Sequence, residues 1–262
     1  LFAIGLLILV PYVYQHPMFK PSQDAARNLP TKAVHVDHRD IVKGDFKTGQ
    51  EVTRACLVCH KDAAADLMKT THWTWQSKAV EVPWRTGPVS IGKINQINNF
   101  CIGAQGNENQ CMACHAGYGW EAGKAAQQAN PENVDCLACH ADPGTYGKGA
   151  FGNPTRSVNL LEAARSVRAT TRDNCGKCHF DGGGGNGVKH GDLDNSLLKP
   201  DRELDVHMAI GKKELNMTCA DCHRNGIDHH TPSSPRYLGK INRQGTRNAN
   251  WRISESIIAT FP

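Results

Sequence analysis

The apolar positions of this chain are unevenly spread. Leu1–Val10 (LFAIGLLILV) is continuously apolar and runs into Pro11 and Tyr12-Val13-Tyr14. It has no amphipathic period and is too short to span a bilayer as it stands. Residues 1–15 read as the end of a membrane anchor, with the tail of a signal peptide as the alternative. No small-x-small cleavage site follows, and Tyr12 and Tyr14 suit an interfacial belt. Residues 16–55 form a polar lead-in that contains His35 and His38. Beyond it, apolar residues come in short clusters and not in long periodic runs. Asp62–Met68 and Leu160–Arg165 pattern as short helices. Gly182–Gly185 is a flexible loop without the Gly-Lys-Ser/Thr ending of a phosphate loop, so nucleotide binding is not expected. The pattern predicts short α-helices joined by long ordered loops, with little sheet.

Between these clusters the sequence Cys-x-x-Cys-His occurs five times. The copies are Cys56-Leu57-Val58-Cys59-His60, Cys111-Met112-Ala113-Cys114-His115, Cys136-Leu137-Ala138-Cys139-His140, Cys175-Gly176-Lys177-Cys178-His179 and Cys219-Ala220-Asp221-Cys222-His223. They use ten of the eleven cysteines. The spacing is that of c-type haem attachment: two thiols add to the haem vinyl groups, and the adjacent histidine supplies an axial iron ligand. Zinc sites do not need a histidine after every second cysteine. Thioredoxin-like motifs do not repeat five times, and thiols this close make poor long-range staples. The expectation is a haem-cored multihaem c-type cytochrome with five covalently bound haems c over residues 56–231. Motif starts lie 55, 25, 39 and 44 residues apart, so there is no simple tandem repeat. The close second and third motifs suggest two haems in near contact, with the third as the nearest relay to the second. The glycine run is expected to let backbone pass close to a haem face.

Composition changes the picture in two ways. With 39% hydrophobic residues, 25 glycines and 13 prolines among 262 residues, a conventional core is hard to build. Flat apolar haems would supply it. The formal charge of +5 would become about −5 once the propionates of five haems are added, so nucleic-acid binding has no support. Haem c attachment points to the periplasm, with the protein anchored to the inner membrane through its N-terminus. Redox partner proteins or a quinol-oxidising membrane complex are the expected partners, and a small inorganic substrate is compatible. Residues 232–262 form a basic tail with no cysteine or histidine.

Thirteen histidines are present and five follow the motifs, His60, His115, His140, His179 and His223. A haem used only for electron transfer wants two strong axial ligands. Of the others (His16, His35, His38, His72, His190, His207, His229 and His230), the best distal candidates are His38, His72, His190, His207 and one of His229 or His230. Met208 and Met217 are weaker candidates.

The segments between motifs carry a resemblance. They include Glu51-Val52-Thr53-Arg54-Ala55-Cys56-Leu57, Thr71-His72-Trp73-Thr74-Trp75, Gly92-Lys93-Ile94-Asn95, Asn98-Asn99-Phe100-Cys101-Ile102, Asn107-Glu108, Gly117-Tyr118-Gly119-Trp120, Gly144-Thr145-Tyr146, Val188-Lys189-His190-Gly191-Asp192-Leu193-Asp194 and Asp205-Val206-His207-Met208. Over about residues 34–230 the chain resembles the octahaem tetrathionate reductase family of c-type cytochromes. The resemblance implies closely stacked bis-His haems feeding one haem, the second, with an open iron position and a lysine ligand. Lys148 is the candidate lysine and Lys124 the alternative. It also implies reduction of tetrathionate, nitrite or hydroxylamine. The family has eight haems where this sequence has five motifs. Cys101, the cysteine outside the motifs, is a candidate to engage sulfur substrates near the open iron; a buried inert thiol is the alternative. A non-catalytic, membrane-tethered pentahaem electron carrier is the competing expectation for the whole chain.

Overall fold

The computed structural model describes residues 35–120, 129–182, 184–212 and 214–223. The proposed anchor, His16, Lys124, His229, His230 and the basic tail lie outside the described residues. All described residues fall within one unit.

Eight short α-helices are described: α1 (Gly49–Leu57), α2 (Ala63–Leu67), α3 (Thr71–Thr74), α4 (Glu108–Cys111), α5 (Cys136–His140), α6 (Leu160–Arg165), α7 (Arg172–His179) and α8 (Cys219–Cys222). Single 3₁₀ turns link them. The described sheet is a two-residue antiparallel pair, β1 (Ile97–Asn98) and β2 (Ile102–Gly103), with Ile97 opposite Gly103. Short helices, long loops and little strand are therefore what the chain forms, and α2 and α6 fall where the pattern placed them.

Helices this short are marginal alone, so their starts are secured by side chains. Thr48 caps α1 by accepting from the Glu51 N–H at 3.3 Å, and Glu51 returns a bond to the Thr48 N–H. Asp135 caps α5 by accepting from Ala138 N–H at 3.0 Å. Thr171 and Asn174 form a reciprocal cap on α7, and the Asp221 carboxylate accepts from Thr218 N–H at 2.7 Å ahead of α8.

The same ends are tied across the molecule. Thr53 on α1 donates its hydroxyl proton to Val134 O at 2.6 Å, and Arg54 forks onto Glu132, so the first motif packs on the lead to the third. Asn174 donates to Ala141 O at 2.8 Å, joining α7 to the end of α5. The buried Arg172 guanidinium reaches Met208 O and Met217 O, holding the segment ahead of the fifth motif. The described part of the polar lead-in, from His35 on, belongs to this unit: Val42 and Phe46 pack against a cluster of Val52, Leu137, Ala141, Tyr146 and Leu160.

Candidate functional site

The described core is divided into small apolar clusters, and motif cysteines lie at their margins. Cys56 edges the cluster around Val52 and Leu137, Cys136 the one around Ala64, Trp73 and Val134, and Cys111 and Cys114 the one formed by Trp75, Ala104, Met112 and Trp120. Thiols of different motifs meet. Cys56 lies against Cys136, Cys114 against Cys178, and Cys175 against Cys219, all as free thiols. The contact with Cys178 holds the Cys114 thiol down at about 6, with the charges of Lys189, Lys93 and Lys148 helping. Cys139 keeps part of its surface open, yet desolvation pushes its thiol up to about 11. Side chains that are enclosed but face an open gap are what a cleft for a flat apolar group requires.

The histidines test the fit of haem directly. Two imidazoles that share one metal, each with its nitrogen about 2.0 Å away, have ring centres roughly 6 Å apart. His38 and His60 have ring centres 6.3 Å apart, and His72 and His179 have theirs 6.2 Å apart. Nδ1 of His38 faces Val36 O at 2.7 Å and Nδ1 of His179 faces Gly191 O at 2.6 Å. A carbonyl on one ring nitrogen aims the other at a metal. His140 is held likewise, with Nδ1 3.0 Å from Arg168 O. The residues present thus fit haem at the first and fourth motifs, with His38 and His72 as partners of His60 and His179. The His72 ring is exposed to a gap, although desolvation first, then His179 and His223, depress its pKa to about 4.

His190 and His207 are placed differently. His190 is exposed, and its Nε2 lies 2.9 Å from Ile97 O in the hairpin. His207 is exposed beside Asp205, at 3.8 Å. Neither ring lies against a motif histidine among the described residues.

The second motif departs from the rest. His115 is the buried one of the five motif histidines, 1% exposed, where His60 and His223 are exposed. Trp73, Trp75 and Trp120 box it in at ring-centre distances of 5.2, 5.2 and 5.6 Å. Its Nε2 faces Trp73 O at 2.7 Å, while Nδ1 is buried without a partner. Burial holds its pKa at about 4, so the ring is neutral. Both nitrogens are thereby enclosed, whereas the other four motif histidines are partly or fully exposed.

Beside it lies a buried charge cluster. The Lys148 side chain is 7% exposed and its ammonium is 2.9 Å from the Asp135 carboxylate, which is fully buried. Lys148 also donates to His115 O and to Gly117 O. Asp135 further accepts from the hydroxyls of Tyr118 and Tyr146, each at 2.9 Å. Desolvation and the Asp135 charge hold both phenols well above their usual range. Lys148 therefore stands at the second motif, and its charge reaches Cys114, Cys139 and Cys178. Asp135 was not singled out by the sequence. Its signal was its place before Cys136, where a helix cap belongs.

Cys101 sits at the tip of the β1–β2 hairpin, exposed, with φ +57° after Phe100 at φ +62°. The thiol is therefore not buried. The base of the hairpin, at Gly103 O, lies 4.0 Å from Cys111 Sγ. The second and third motifs are adjacent through backbone, with Asp135 N–H donating to Ala116 O at 2.9 Å. By thiol contact, however, the second motif meets the fourth. In the glycine loop, a Cβ on Gly182 would lie 1.8 Å from Lys189 Nζ, so the bare backbone there makes room for a lysine.

No protein-family model matches the chain. An uncharacterised protein of Archaeoglobus fulgidus is 25% identical over 245 residues, covering 74% of this chain and 80% of that protein. The crystal structure of octahaem cytochrome c from Shewanella oneidensis superposes with a TM-score of 0.65 at 39% identity, over 84% of this chain and 50% of that one. The chain thus spans about half the length of that solved relative. Short helices and long loops, histidine pairs at haem-spanning distance and this structural likeness together give the chain the haem-cored fold of the multihaem c-type cytochromes.

Proposed function

We propose that this is a periplasmic electron-transfer cytochrome with five haems c, whose second attachment site is reactive towards small oxidised sulfur or nitrogen compounds such as tetrathionate, nitrite or hydroxylamine. When bound, haem supplies one-electron transfer and, where an axial position is open, an exchangeable site on iron. The observation that carries the reading is the withdrawal of His115 into its tryptophan box while the Lys148 amine lies against the same motif. Lys148 can ligate iron only as a neutral amine, so its proton must leave. Asp135 can lose the lysine without being stranded, because Tyr118, Tyr146 and Ala138 N–H still donate to it. Electrons would come from a redox partner protein or a quinol-oxidising membrane complex, with the N-terminal segment as tether.

The second reading, a non-catalytic carrier, is favoured by one observation. Asp135, His115 O and Gly117 O already take all three protons of the Lys148 ammonium. The two readings separate in a Lys148→Ala variant of the haem-loaded protein, assayed with tetrathionate, nitrite and hydroxylamine against a reduced dye. Loss of turnover together with a changed high-spin signal supports Lys148 as the ligand. Wild-type rates and an unchanged signal reject it. A wild-type protein that turns over none of the three and binds no cyanide is the carrier.

A further inference from the structure

Three lysines surround the second attachment site, and two have a carboxylate. Lys148 is paired with Asp135, and Lys189 with Asp192 at 2.6 Å, both pairs almost closed to solvent. Lys93 is the third. Its charge acts on Cys111 and Cys114; burial first, then the Lys189 charge, lower its own pKa, and Asp192, already paired with Lys189, acts on it in the opposite sense. Among the described residues it makes no ion pair; its ammonium has only His190 O at 3.3 Å and Asn98 Oδ1 at 3.5 Å. Both contacts are at or beyond the long end of the range for N–H···O bonds. The cluster therefore keeps one uncompensated, half-buried positive charge beside the second motif.

The mounting of Lys93 is rigid. It rides on the turn Gly92–Gln96, where Asn95 and Gln96 both donate to Gly92 O at 3.0 Å. Ile94 packs into the Trp75–Met112–Trp120 cluster. Gly92 passes so close to Trp75 that a Cβ would lie 2.0 Å from its carbonyl oxygen. A half-buried ammonium on a fixed turn, lacking a carboxylate, is arranged to receive an anion that comes and goes. A propionate of the second haem itself is a poor candidate, because Cys111 and Cys114 mark the vinyl edge and the propionates leave from the opposite one.

We infer that Lys93 is a specificity-determining residue that binds the oxyanion of the substrate at the second attachment site, selecting small inorganic oxyanions over neutral ligands. This rests on the reading of an open iron there. The test uses the haem-loaded protein and optical titration of its ferric form with nitrite, and separately with hydroxylamine at neutral pH, where hydroxylamine is uncharged. In Lys93→Gln the nitrite dissociation constant rises about tenfold, the loss of one charge-assisted hydrogen bond, while that for hydroxylamine stays within about twofold. Lys93→Arg restores nitrite binding. Unchanged nitrite affinity in Lys93→Gln overturns the inference, as does an equal loss for both ligands. A shift of reduction potentials with nitrite affinity intact also overturns it and assigns Lys93 to a propionate of a neighbouring haem. A wild-type spectrum that responds to neither ligand overturns the open-iron reading, and this inference with it.

Discussion

Asp135 does two jobs with two oxygens. It caps α5, and it holds the Lys148 ammonium between two tyrosine hydroxyls at zero side-chain exposure. Breaking a buried pair by removing one partner leaves an uncompensated charge and costs about 3 kcal/mol or more. In the carrier reading, where Lys148 stays an ammonium, Asp135→Asn is therefore expected to lower the stability of the haem-loaded protein by about 3 kcal/mol, read from denaturant midpoints at constant slope. A loss below about 0.5 kcal/mol, the level typical of plain surface changes, would show that Lys148 spends its time elsewhere. The histidine pairs give a second prediction. His38→Ala and His72→Ala should each convert one low-spin haem to high spin, with His72 affecting the haem on Cys175 and Cys178. Unchanged spectra in both variants would end the pairing. At this scale the five attachment motifs were legible as motifs, because their spacing is local. It named His38 and His72 as ligands without their partners, since the pairs join residues 22 and 107 positions apart in the chain. Lys93 stood only within a segment that carried the resemblance and had no signal of its own: a lysine in a loop is ordinary until the carboxylates around it are counted.

The helices are four to nine residues long, below the length at which propensity sustains a helix. Caps and cross-chain tethers carry them. Thr171→Ala removes the cap of α7 and should cost about 1 kcal/mol, a fall in Tm of about 2–4 °C for a protein of this size, while Thr171→Ser should be nearly neutral. An equal loss in both would mean that packing of the Thr171 methyl, and not the hydrogen bond, holds the helix start. The patterning at 62–68 and 160–165 gave α2 and α6 correctly because alanine and leucine cluster there on one side. The helices bearing motifs were less legible as helices, since Cys-x-x-Cys-His has no helical period. What marks them is the Thr or Asp immediately before four of them, with an acid or amide three residues on in the case of α1, α7 and α8. The hairpin at 97–103 was not foreseen. Two residues per strand are too few for alternation to show, and its tip relies on left-handed backbone at Phe100 and Cys101 that the sequence does not announce.

At the scale of the whole molecule, small separate apolar clusters stand in for one continuous core among the described residues, and bound haem would add the apolar surface that they lack. Mass spectrometry of protein matured with a haem-attachment apparatus is expected to show the apo mass plus five haems; a stable product with four or fewer would defeat the count. The order of motifs along the chain is not their order in space. The fourth meets the second through Cys178 and the fifth through Cys175, so the shortest sequence interval, from the second motif to the third, did not identify every close neighbour. Chain spacing reports how far a segment could reach, and the fold decides whom it meets. Those same meetings carry a hazard during biogenesis. Cys56 with Cys136, Cys114 with Cys178, and Cys175 with Cys219 would become oxidisable neighbours if the polypeptide collapsed with its thiols still free. In an oxidising compartment such neighbours close into cross-links. Each would consume one cysteine from two different motifs and disable both. The nascent chain must therefore be loaded while extended, and premature folding, more than slow folding, is the failure its assembly has to avoid.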